Sequence, residues 1–271
     1  MEQYTTFSQD WIIPIIIRCL LVNWIVAGTW DFLMYSKYSP IFEIMKPYKF
    51  NSVYPSGWQI FHDFCFSTCS TLISAGFEIY LLNAWATNKL PLNPIAAAGI
   101  PWYTDRSTVI WVVSMPFWRL AHFYVVHRMM HPWHWEVFGV DIGSVIYRHV
   151  HKLHHKSSNP TSWSGISMHP IESTTYYTAS LIPVLFGAHP LVFYYTMQDL
   201  SLAALIGHDG FGYMPGGGSQ THWLHHHYGD LNYSENYAPF DYLFGTFAST
   251  PEEAEKLISS IKASRKENKA K

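Results

Sequence analysis

The sequence predicts an all-α, integral-membrane helical bundle of about four spans or span equivalents, topped by a cytosolic, histidine-rich helical cap. Three observations carry that expectation. Only 13% of the 271 residues are charged, about half of the roughly 25% usual in soluble domains. The apolar residues are gathered in runs long enough to cross a bilayer, whose core of about 30 Å takes about 20 helical residues. Finally, 15 of the 16 histidines lie between residues 122 and 227.

The first span is expected over residues 11–34, whose stretch from Trp11 to Trp30 is almost wholly apolar, broken by Arg18 and Asn23. Arg18 is costly there unless it pairs or snorkels. A loop with Lys37, Lys46 and Lys49 leads to a second span over 60–85, in which Glu78 needs a partner. Residues 86–106, rich in Pro, Asn and Ala, read as a loop, and a third span follows over 107–126. The apolar halves 174–188 and 191–206, split by His189-Pro190, are each about 22 Å as helix and too short to cross alone. They read as a hairpin that dips into the membrane or as two tilted spans. Pro215-Gly216-Gly217-Gly218 reads as a loop, and the tail as a charged amphipathic helix. The first spans and loops are expected within 1–106 and a charged tail over 249–271, with the main histidine groups between them in 107–248.

Basic residues set the topology. Lys37, Lys46 and Lys49, then Arg128, Arg148, Lys152 and Lys156, and finally the tail are all cytosolic by the positive-inside rule. Every histidine group except His62 then falls on one face. A net charge of -2 gives no reason to expect nucleic acid. The first ten residues carry acids and no base, the wrong start for a signal peptide. Cys19, Cys65 and Cys69 read as buried small hydrophobes and imply no disulfide framework.

The histidines fall into repeated spacings. His127 and His131 are i, i+4. His151, His154 and His155 are i, i+3, i+4, and His222, His225 and His226 repeat that pattern, with His208 shortly before. Such spacing places imidazoles on one helix face, each helix feeding two or three ligands to one ion. One such pair is weak support for metal binding, but three groups on one membrane face are strong. A solvated histidine-rich face would not require the repeat. Eight or nine ligands exceed the need of one ion and suit two. Soluble di-iron bundles use Glu and Glu-x-x-His instead, so this sphere is histidine-only, with carboxylates behind it. His62, His134, His149, His189 and His227 read as structural or off-face. His122 faces away from His127 and packs or supports. His169, followed by Glu172, is harder to set aside, because a carboxylate there can orient a ligand imidazole.

These boxes, in this order, resemble the fatty acid hydroxylase superfamily and, within it, the sterol desaturase branch. Further matches are Phe123-Tyr124, Ser158-Asn159-Pro160, Met168-His169-Pro170-Ile171-Glu172, Gly207-His208-Asp209-Gly210, Asn232-Tyr233 and Asp241 to Thr246. The likeness covers about residues 107–248. It implies a membrane-embedded helical fold with two irons, as Fe2+, under a cytosolic cap, and O2-dependent hydroxylation or desaturation of a sterol or fatty acyl lipid. It also implies His127, His131, His151, His154, His155, His208, His222, His225 and His226 as ligands. His122, His169, Glu172, Asp209 and Asn232 stand behind them. His208-Asp209-Gly210 looks more like C-5 sterol desaturases than C-4 methyl sterol oxidases. Ser234 departs from the family, where glycine often follows Asn-Tyr.

No flavin, nicotinamide or haem fingerprint is present, so an external electron donor such as cytochrome b5 or a ferredoxin is expected. An endoplasmic reticulum membrane is expected if the source is eukaryotic. Histidine sites also take zinc, which often binds on purification. Three rivals remain at this point. They are a fatty acyl hydroxylase or C-4 methyl sterol oxidase, a membrane metal-binding or transport protein, and a non-catalytic relative with structural zinc.

Overall fold

A computed structural model describes residues 6–51, 53–212, 218–235 and 239–269. Residues 215–217 of the expected glycine loop lie outside the described residues. Helices of eight residues or more are labelled α1 Ile12–Tyr35, α2 Gly57–Ala86, α3 Arg106–Met130, α4 Ile142–His149, α5 Pro170–Tyr177, α6 Pro190–Gly207, α7 Gly218–Tyr228 and α8 Pro251–Lys269. Among the described residues there is no strand, only isolated bridges. The all-α expectation therefore stands.

Three helices are long and apolar enough to cross a membrane: Gln9–Tyr35, Gly57–Ala86 and Arg106–Met130. Each is as long as or longer than its expected span. Their outward faces are apolar, with Ile13, Ile25, Ile110 and Phe117 all more than half exposed, as a helix facing hydrocarbon rather than water requires. Ser56 caps α2 and Asp105 caps α3, each accepting a backbone N–H of the first turn. Inside the membrane-length region Arg18 of α1 pairs with Glu78 of α2, and the Tyr194 hydroxyl donates to the same carboxylate at 3.2 Å. Each of the two costly charges is the other's partner.

α1 packs along α2, and α5 and α6 pack against α2 and α3. The expected Pro-broken pair is present. α5 continues through short turns to Leu181–Leu185, and His189 caps α6 ahead of Pro190. Tyr177, Ala179, Val184, Phe193 and Met197 of this hairpin are buried with Ala75, Leu81 and Trp85 of α2. One side of the segment thus packs inward, while Leu185, Phe186 and Leu202 on its other side are exposed. The tail helix is not free either. Ala254 and Ile258 of α8 bury against Leu224 and Leu231 beneath α7. Two smaller expectations need correction. Residues 86–106 contain a short helix, Pro94–Ala98, nucleated by Asn93. Cys69 is exposed rather than buried and Cys65 is partly so, because both lie on the outward side of α2.

Candidate metal centre

α3 runs beyond its apolar stretch and carries His127 into the cap. The helix stops at Met130, and His131 is its C-cap in extended backbone (φ -96°, ψ 159°). Pro132 is the cause, since a proline excludes the helical region for the residue before it. The second box is likewise not α-helical but a 3-10 turn, His151–Lys156. His208 caps α6, and the third box lies on α7.

All nine histidines expected as ligands are brought together, in two groups. His127, His131, His151, His155 and His225 form one; His154, His208, His222 and His226 form the other. Within each group the ligand-capable atoms all lie within 4.8 Å of one another. The expectation that each box serves one ion is corrected here for the second and third boxes. His151 and His155 join the first group while His154 joins the second. His222 and His226 join the second while His225 joins the first. Neighbouring residues on a helix diverge by about 100°, so adjacent histidines such as His154 and His155 cannot share a target. The second and third boxes therefore span both groups, while His127 and His131 both serve the first, and the two groups are locked to each other by the chain itself.

The far side of most rings is fixed. The Nδ1–H groups of His127, His154, His208 and His225 donate to the carbonyls of Tyr233 (2.7 Å), Ser167 (3.1 Å), Ala204 (2.7 Å) and Leu231 (2.6 Å). A carbonyl only accepts, so these rings carry their proton on Nδ1 and leave Nε2 as a lone pair. The Nε2 atoms then face one another: His154 to His208 at 3.2 Å, His127 to His151 at 3.1 Å, His155 to His151 at 3.0 Å and His226 to His222 at 3.1 Å. In the pair His154 and His208 both protons are committed elsewhere, so two lone pairs meet. The Nε2 atoms of His131 and His225 are buried without any partner. Burial holds His154 down to about 4, and His131, His155, His208, His222, His225 and His226 well below the usual imidazole range. Protonation is thus an expensive remedy for the facing lone pairs. A cation between them satisfies every one, and the donor set fits a metal of intermediate hardness.

Of the residues expected behind the ligands, Glu172 reaches the centre directly. Its Oε1 is 2.6 Å from His151 Nδ1, and both side chains are fully buried. Burial raises its pKa well above the carboxylate range; a cation at His151 Nε2 favours the carboxylate instead. Asn232 acts through the backbone. Its amide donates to the carbonyls of Thr221 (3.0 Å) and Ala248 (2.8 Å), tying α7 to the loop whose Leu231 and Tyr233 carbonyls hold His225 and His127. Asp209 accepts the Phe211 N–H at 3.0 Å and shapes the turn after His208. His169 caps α5 by accepting the Ile171 N–H at 3.2 Å, and His122 meets Thr178 at 3.0 Å. Neither contacts the nine.

Several contributors carry no sequence signal as metal-site residues. The carbonyls of Ser167, Ala204, Leu231 and Tyr233 are backbone groups. Asp63, fully buried, accepts the hydroxyls of Ser157 (2.5 Å) and Ser167 (3.0 Å) and so braces the loop after the second box. Asp241 does the same for the Tyr233 and Ser234 amides at 3.0 and 2.6 Å. A cavity of about 340 Å³ opens beside the centre, lined by His127, His154, His208 and His222 and by apolar side chains including Phe123, Ile166, Met168 and Leu200.

The fold and the site define a helical membrane-type protein built round a paired histidine centre. A model of the fatty acid hydroxylase family matches residues 110–246, just over half of the chain, and the chain belongs to that family. It is similar to the Delta(7)-sterol 5(6)-desaturase ERG3A of Gibberella zeae, 28% identical over 108 residues, or 38% of this chain and 31% of the relative. It is similar to the fatty acid hydroxylase ahd1 of Mycosarcoma maydis, 29% identical over 130 residues, or 46% and 29%. Human lathosterol oxidase is 26% identical over 149 residues, or 51% and 45%. The chain thus spans about a third to a half of the length of these relatives. No solved structure matches.

Proposed function

We propose that the chain is an integral-membrane oxidoreductase that oxidises a C–H bond of a lipid, with two iron ions held by the nine histidines and O2 as co-substrate. The observation that carries this reading is the set of nine converging histidines, with buried lone pairs facing one another, beside an apolar cavity. Iron so bound supplies oxygen activation, which no protein side chain provides. The chain's own residues do the rest. The carbonyls behind His127, His154, His208 and His225 fix their tautomers, and Glu172 fixes His151. Phe123, Ile166, Met168 and Leu200 exclude water and hold the apolar body of the substrate where His127, His154, His208 and His222 face it.

Five histidines in the first group exceed the closed set of four typical of structural zinc, which disfavours the non-catalytic rival, although zinc can enter on purification. The nine gather at and beyond the end of α3, not midway along the spans as a transport path requires. Sterol C-5 desaturation is the first substrate reading, supported by His208-Asp209-Gly210 and by two of the relatives named above. Fatty acyl hydroxylation is the second, supported by the relative ahd1; C-4 methyl oxidation is its sterol counterpart. The remaining electrons come from an external donor such as cytochrome b5 or a ferredoxin. The cap faces the cytosol, and in a eukaryote the membrane is that of the endoplasmic reticulum.

The test is to express the wild type and a His154→Ala, His225→Ala double variant in yeast lacking its C-5 sterol desaturase. Sterols and acyl lipids are then profiled by mass spectrometry, and metal is counted per chain. A new sterol double bond made by the wild type alone supports the first reading, and a new hydroxyl supports the second. Zinc or no metal, with unchanged lipids, overturns both.

A further inference from the structure

One feature of the cavity is foreign to an apolar lipid. Arg119 and Glu235 line it, and the Arg119 guanidinium pairs with both Glu235 and Asp199. Arg119 lies midway along α3 and Asp199 midway along α6, both in membrane-length or hairpin apolar segments. Burying such charges is costly, and an intramembrane ionisable group usually serves a function. The cluster holds two carboxylates against one guanidinium. It therefore has acceptor capacity to spare and repels anions. Arg119, Phe123 and His127 follow at i, i+4 and i+8 along α3, and all three line the same cavity. Two turns, about 12 Å of helix axis, separate the first from the last.

We infer that Arg119, Asp199 and Glu235 form the polar-end recognition site of the substrate cavity, selecting a neutral, hydroxyl-bearing lipid. This rests on the lipid-oxidase reading above and deepens it. The substrate hydroxyl donates to Glu235, while Asp199 behind Arg119 anchors the guanidinium that holds Glu235 in place. A carboxylate or phosphate headgroup is rejected by the surplus negative charge. The apolar body runs past Phe123 toward the histidines.

The test is lipid binding by the purified, metal-loaded protein in nanodiscs. The probes are cholesterol and 1-hexadecanol, each compared with its methyl ether, and palmitate as the anion. Wild type should retain at least one of the two alcohols about tenfold or more over its ether, as a hydrogen bond to a charged group implies, and should exclude palmitate. The variant is Arg119→Met, Asp199→Leu, Glu235→Leu in one chain, because replacing a whole buried ion cluster by apolar residues commonly keeps the fold. It should keep its metal content and Tm, bind alcohol and ether equally, and lose the discrimination. Equal binding of alcohol and ether by the wild type, or an unchanged preference in the variant, overturns the recognition site and leaves the lipid-oxidase reading standing. Binding of none of the five lipids overturns that reading as well.

Discussion

Glu172 Oε1 lies 2.6 Å from His151 Nδ1 with both side chains sealed from solvent, and it is the carboxylate among the nine ligands' direct supports. His151 is also the ring whose Nε2 meets those of both His127 and His155. A single acid thus orients the ligand at the middle of the first group. Glu172→Ala strands the Nδ1–H in a dry site and is expected to weaken metal retention about 10–100-fold. Glu172→Gln keeps an acceptor and is expected to lose much less. Competition with a chelator, read as metal per chain against chelator concentration, checks the order; equal retention in both variants would remove Glu172 from the centre.

The histidine set was legible in the sequence because a metal ligand must be a particular residue type at a particular spacing. What the spacing hid was the partition. His154 and His155 look like one motif in the sequence, yet they serve different groups, because neighbours on a turn point apart. Backbone carbonyls have no residue identity, so the supports from Ser167, Ala204, Leu231 and Tyr233 left no trace. Arg119 is a charge inside the third apolar span that the sequence reading passes over, and its partners Asp199 and Glu235 are 80 and 116 positions away. The three spans were plain from hydropathy. The buried hairpin was visible only as two halves too short to cross.

His169 and His154 separate a cap from a ligand. His169→Ala removes the acceptor at the start of α5 and is expected to cost about 1 kcal/mol of stability with metal content unchanged. His154→Ala removes a buried nitrogen 3.2 Å from His208 Nε2 and is expected to halve the metal content. Metal analysis and thermal melts on both proteins check this. Metal loss in His169→Ala would move that residue into the centre.

Acid should destabilise the metal-free protein within a defined window. Burial holds folded His154 at about 4, against about 6.5 in an unfolded chain. Between those values the unfolded chain binds more protons, so stability falls as pH drops. Above about 6.5 both states are neutral and this group contributes no slope. His131, His208 and His222 are also held well below the usual range, so the slope should exceed that of one proton. Melting temperatures of the metal-free protein should be flat above neutrality and drop steeply from about pH 6.5 toward 4. A flat profile down to pH 5 would contradict the burial of these rings as neutral bases.

Gly165 links the cavity wall to a ligand. A Cβ at this position would lie 2.3 Å from the Ala204 carbonyl oxygen and 2.5 Å from its carbon, and that carbonyl accepts His208 Nδ1–H at 2.7 Å. Both sides of the clash are backbone, so no side chain can swing away. α6 must shift outward, taking with it the group that fixes the His208 tautomer. Gly165→Ala is therefore expected to weaken metal retention at the group of His154, His208, His222 and His226 more than at the other. Gly76→Ala on α2 is the matched control. A Cβ there meets nothing within 4 Å, and alanine is about 1 kcal/mol better than glycine inside a helix, so its melting temperature should hold or rise with full metal content. Stepwise chelation of the two variants reads the difference. If Gly165→Ala releases metal no faster than Gly76→Ala, the Ala204 carbonyl is not what keeps His208 aimed at its group.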